Sequence, residues 1–276
     1  MGQLVHTLPE GEPVCGVTSL ADEIYLLRDK ECDNIEVYDV ITNRLQRCLT
    51  VPNARGVSDM TSCEHYRCVY IGMIISLYVY CVHRLDVKGA ATRWAVNDEP
   101  FGISVNAVHN VLVTCRDVRK IKEFSSHGDL VRELTLPDDV ISPWHAIQTH
   151  NGEFIVCHGD FDDAVHRVCK VSVSGHDIVQ SHDGQRGSAT GLYDVPLHLA
   201  VDNNEFVFVI DINNRRVTLL SPTLGYIRQV VSRDQLDGLP DSLYLDTQRR
   251  RLYVVDCEWN DEEKRYTAGR VVVLIV

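Results

Sequence analysis

The chain has 276 residues, of which 45% are hydrophobic and 24% charged, and it carries a formal net charge of −12 with a pI near 5.4. This balance excludes a disordered chain, which buries too little apolar surface to fold. It also disfavours nucleic acid as a partner, because phosphate recognition draws its affinity from clustered Lys and Arg.

From the amino end, MGQLVHTLPEGEP lacks a basic stretch followed by an apolar one, so no secretory signal is expected. The longest apolar runs, Cys68 to Val82 and Val271 to Val276, fall short of the roughly 20 residues a membrane helix needs. The reading is a soluble, cytoplasmic chain that makes no membrane contact and acts as a monomer. Ten cysteines are scattered from Cys15 to Cys257 without a CxxC pair, mostly inside apolar runs such as EFIVCHG. They read as reduced, buried thiols and not as a disulfide or zinc framework.

Self-similarity dominates the rest of the chain. Segments opening at Gly16, Gly56, Gly102, His145, His198 and Asp241 follow one another at intervals of 40, 46, 43, 53 and 43 residues, each with an apolar run, a polar turn and a second apolar run. The second runs are IYLL, VYIG, VLVT, FIVC, VFVI and LYVV. Turn pairs such as Asn151-Gly152 and Asn203-Asn204 separate the first two runs, and Thr42-Asn43, Lys88-Gly89, His127-Gly128, Ser174-Gly175 and Leu224-Gly225 separate the last two. A period of this size suits one four-stranded blade per repeat. The expected fold is all-β, a six-bladed β-propeller of four-stranded antiparallel blades spanning residues 1–276 as one domain. The sixth repeat lacks a fourth strand, and QLVHTLP near the start resembles one. Residues 3 to 8 are therefore expected to pair with residues 270 to 276 and close the ring, leaving no open edge.

One segment, Pro196 to Leu220, carries a recognisable pattern: Asp211, Asn214, Arg216 and Val217 match D-x-x-N-x-R-[IV]. It resembles an NHL repeat. Blade four keeps Arg167-Val168, blade six Asp256 with Arg270-Val271, blade three Lys120-Ile121, and blades one and two lose the motif. From the residues alone the motif is structural, an Asp and an Arg meeting across a tight turn. The resemblance, to the C-terminal propeller of TRIM-NHL proteins, implies a non-enzymatic recognition scaffold for a protein or peptide. In ubiquitin ligases such domains hold substrates or single-stranded RNA. No cofactor is expected, and the paired cysteine and histidine ligands a RING needs are absent from the sequence.

Alternating strand directions put the two-to-three loops and the inter-blade links on one face, with all the length variation: Arg28 to Asn34, Met73 to Leu77, His158 to His166, Gln180 to Val195 and Cys257 to Gly269. The contact ring expected there is Trp144, His145, His198, Arg28, Arg55, Arg116 and Arg186, because aromatics and arginines dominate interface energetics. The plainer reading of Phe101 and Trp144 is a channel plug. Two other functions stay open: an RNA-binding propeller, and a calcium-dependent hydrolase of the gluconolactonase kind. Calcium needs several oxygen donors at the axis, and of the six blade-opening positions Asp241 alone supplies one. The Asp160, Asp162 and Asp163 group reads as a solvated loop.

Overall fold

The computed structural model describes residues 2–276 apart from 29–33, 52–55, 77–78 and 183. Among the described residues, short runs rich in Val, Ile, Leu and Tyr, punctuated by turn residues, form 24 strands in six four-stranded antiparallel sheets. In five sheets the strands lie in chain order. The sixth is completed from the other end of the chain, with Gln3–Gly11 added outside Arg265–Ile275. Their register runs from Gln3 opposite Ile275 to Leu8 opposite Val271, so the ring closes where the sequence places it. Turn residues expected between strands three and four take up the left-handed region, among them Asn43, Gly89, Gly128, Gly175 and Leu224. At Gly128 a Cβ would stand 2.6 Å from the Trp94 ring, so glycine is needed there for space as well as for its φ of +94°.

The first strand of each blade faces the axis: Val14–Leu20, Val57–Cys63, Gly102–Val105, Pro143–Gln148, Pro196–Val201 and Leu239–Asp246. Each packs against the first strands of both neighbours, which closes an inner ring. The apolar cores lie between blades. Blades one and two share Leu27, Val37, Ile71 and Met73, and blades five and six share Ile210, Val217, Val254 and Val272.

Three expectations change. Met73 to Ser76, expected within a loop, continue the strand Cys68–Ser76 and pair with Val79–Asp86. The segment from Cys257 to Gly269 is not a loop: strands Arg251–Asn260 and Arg265–Ile275 run on through it and meet in a hairpin where Trp259 packs edge-on against Tyr266. The blade openings also shift, because the inner strands of blades one, two, four, five and six are bulged at their start, each placing two residues opposite one. Counted through the bulges, the equivalent residues are Gly16, Asp59, Gly102, His145, His198 and Ser242. Blade two therefore opens on Asp59, not Gly56, and blade six on Ser242, with Asp241 the bulge residue before it.

Candidate functional site

The bulges build the axial site in two tiers. Their first residues, Cys15, Ser58, Trp144, Leu197 and Asp241, together with Phe101 of blade three, line a cavity of about 240 Å³ on the loop face. Glu99 also lines it. The second residues form its floor. A further cavity of about 200 Å³ lies on the tight-turn side, and His198 borders both.

On that floor Asp59 of blade two reaches across the ring to blades four and five. His198 Nε2 stands 3.2 Å from both Asp59 carboxylate oxygens, and His145 Nε2 stands 3.6 Å from Asp59 Oδ2 and 3.2 Å from the Ile103 carbonyl. The two imidazoles stack with centroids 4.0 Å apart. Asp59 is fixed by two backbone donors, the Met60 and Ile103 N–H groups, each at 2.8 Å. Gly102 makes room for His145: a Cβ there would meet the ring and the Trp144 carbonyl at 2.6 Å.

Burial alone would raise the Asp59 carboxyl, but attraction to His198 and His145 and the Ile103 N–H outweigh it and hold the group below its ordinary range. Burial, with repulsion from His198, pushes His145 down to about 3, so its ring is neutral at neutral pH. The floor thus joins a carboxylate to two stacked imidazoles, a set able to move a proton or hold a cation. Two nitrogens and one carboxylate are not the oxygen cage that calcium takes. At the mouth, Glu99 is raised above its ordinary value by burial and by Asp117.

The structure gathers part of the expected ring. Trp144 and His198 line the cavity, and His145 lies in the floor with 2% of its surface exposed. Arg116 stands over the Trp144 ring at 4.3 Å and the Phe101 ring at 5.1 Å, ion-paired with Asp160, while Trp144 Nε1 donates to the Gly159 carbonyl at 3.0 Å. Asp160 therefore holds Arg116 against the aromatics and is not free in a solvated loop. Arg186 pairs with Asp194 at 3.0 Å and donates to the Phe161 carbonyl, and it does not line the cavity. Arg55 lies outside the described residues. Arg28 is a correction, since it is buried, not displayed: it pairs with Glu36 at 2.6 Å and donates to the carbonyls of Pro9, Glu12 and Gly269. Its length carries the guanidinium into the seam that closes the ring, where it satisfies backbone acceptors of the strands at both chain ends.

The D-x-x-N-x-R residues are structural. Asp211 is fully buried and accepts from Arg216 Nε, from Asn214 Nδ2 and from the Asp194 N–H, each at 2.8 Å. Arg216 and Asn214 donate onward to the carbonyls of Ser188, Ala189 and Gly187, and Val217 packs in the core between blades five and six. The residue of the candidate site missed from the sequence is Asp59. Its signal was an even interval, since Gly16, Asp59, Gly102 and His145 recur every 43 residues.

No protein-family model matches the chain, and no curated protein does. Solved structures share its fold. PQQ-bound aldose sugar dehydrogenase from Streptomyces coelicolor superposes with a TM-score of 0.69 at 10% identity, covering 99% of this chain and 98% of that one. Virginiamycin B lyase from Staphylococcus aureus gives 0.62 at 10% identity over 97% and 99%. The Swd1 β-propeller domain of Myceliophteria thermophila gives 0.58 at 10% identity over 95% and 82%. At such identities these likenesses establish the propeller and nothing finer, so the NHL resemblance rests on blade five alone. They include enzymes whose scaffold this chain shares.

Proposed function

We propose that this chain is a recognition propeller that binds a protein or peptide partner on its loop face, its axial cavity receiving one partner side chain with an apolar stem and a cationic head. The observation that supports it is the cavity itself: Phe101, Trp144 and Leu197 supply apolar and aromatic walls, while Glu99 and Asp241 add acidic groups. Aromatic surface and carboxylates together suit a Lys or Arg side chain. Arg116 is a positioning residue here, holding the Trp144 ring. The acidic chain favours a basic partner over RNA. The ubiquitin-ligase setting implied by the NHL resemblance gains no support from the fold likenesses.

Short fluorescent peptides that differ only in a central Lys, Arg, Leu or Glu test this by anisotropy titration. Lys and Arg peptides are expected to saturate, and Trp144→Ala and Glu99→Gln to weaken them by about 1–2 kcal/mol each. Equal affinity for the Glu and Lys peptides, or a flat response to all four, overturns the reading. A second reading, a propeller enzyme, is favoured by the Asp59, His145 and His198 cluster at the cavity floor, where a bound substrate would meet ionisable groups.

A further inference from the structure

We propose that Asp59, His145 and His198 form a binding site for one divalent transition-metal ion of zinc-like chemistry, at the level where the axial channel narrows between its two cavities. The three side chains each offer one ligand atom, and these atoms lie within 4.8 Å of one another. Zinc bonds to imidazole nitrogen and carboxylate oxygen of about 2.0–2.2 Å set the edges of a tetrahedron near ~3.4 Å. The separations of Asp59 Oδ2 from His198 Nε2 and His145 Nε2, 3.2 and 3.6 Å, bracket that edge. An ion entering would replace the His145 Nε2 contact with the Ile103 carbonyl and turn the stacked rings so that both Nε2 lone pairs aim at it.

The donor types choose the class of ion. Calcium and magnesium take oxygen, whereas two imidazoles with one carboxylate suit zinc and its neighbours. Three protein ligands leave a fourth position for water or a ligand atom, the arrangement of catalytic and not of closed structural zinc sites. The setting is rigid, because each ligand stands at an inner-strand bulge and Asp59 is oriented by the Met60 and Ile103 N–H groups. Nδ1 of His145 and Nδ1 of His198, on the far side of each ring from Asp59, are buried without a hydrogen-bond partner, so the ring orientations are set by the Nε2 contacts alone. The site stands whether or not the cavity above it takes a peptide.

The test uses the full chain, freed of metal with a chelator and titrated with zinc chloride by calorimetry, then with cobalt chloride followed by visible absorption. One ion per chain is expected, with the intense d–d absorption of four-coordinate cobalt and no sulfur-to-cobalt charge transfer. That last feature separates this site from the cysteines, of which Cys48 is exposed. His198→Gln and Asp59→Asn are each expected to weaken binding more than about 100-fold, while Cys48→Ser leaves it unchanged. Zinc should also raise the melting temperature of the wild type, a readout that survives if a variant fails to fold. Absence of binding by the wild type, a thiolate band in its cobalt spectrum, or full affinity in folded His198→Gln overturns the proposal.

Discussion

Blades five and one occupy the same register position with opposite charge. In blade five, Asp211 ends the second strand opposite Pro196, and Arg216 answers it from the third. In blade one, Arg28 stands at that position, opposite Val14, and the acid, Glu36, comes from the third strand. The work is alike: each arginine spans to backbone carbonyls of a neighbouring segment, residues 188–192 in blade five and Pro9, Glu12 and Gly269 in blade one. Blade four varies it again, with His158 at the acid's place accepting from Arg167 Nε at 2.9 Å. The position calls for an arginine clamped to a partner and reaching outward, and the sign at each strand is free to exchange. Only an arginine has enough fixed donors to hold an acid and several carbonyls together.

The largest expected effect comes from breaking blade five. Asp211→Ala leaves Arg216 buried without its counter-charge and should cost about 3–5 kcal/mol in urea unfolding, because the surviving ion is no longer compensated. A loss under about 1 kcal/mol would show that the turn stands without its pair and that the comparison between blades has no energetic content. Blade one should give somewhat less. Arg28→Met keeps the stem's packing but removes the charged hydrogen bonds, with an expected cost of about 2–3 kcal/mol. It should also act locally, speeding amide exchange along Gln3–Gly11, the strand whose carbonyls it holds. Exchange there that matches the wild type would mean that Arg28 does not bind the seam.

How much of this was legible in the sequence follows the same division. The propeller and its closure were open to reading because alternation, turn pairs and the period are local signals repeated six times, so an error in one blade is corrected by the others. Trp144, His145 and His198 could be placed near the axis on the same ground. Asp59 was hidden by a bulge. An extra residue in the inner strand moves the true opening off the start of the apolar run, and Gly56 drew the alignment away from it. Arg28 was misplaced because an arginine in a loop flank looks exposed. Nothing near it in sequence tells of Pro9 and Gly269, which reach it only once the ring has closed. The inverted pair of blade one is invisible to any motif that fixes which strand carries the acid.

The smallest of these effects sharpens the comparison through blade four. Arg167 can only donate, so Nε2 of His158 must be unprotonated to accept from it. Burial, with repulsion from Arg167, pushes His158 from its ordinary 6.5 down to about 3. The unfolded chain therefore takes up a proton near pH 6.5 that the folded chain refuses until about pH 3. Between those values the unfolded state binds more protons, and this histidine's contribution is lost as pH falls. Over the single unit below the ordinary value the loss should reach about 1 kcal/mol, set by the usual 1.4 kcal/mol per unit once titration is complete. Buried His145 and His83 move in the same direction, so the measurement is a difference. His158→Gln keeps an acceptor for Arg167 without a titrating ring. Urea unfolding at pH 6.5 and 5.5 should show the variant losing about 1 kcal/mol less than the wild type. Identical losses would mean that His158 is charged in the folded blade, and that blade four does not hold its arginine as blades one and five do.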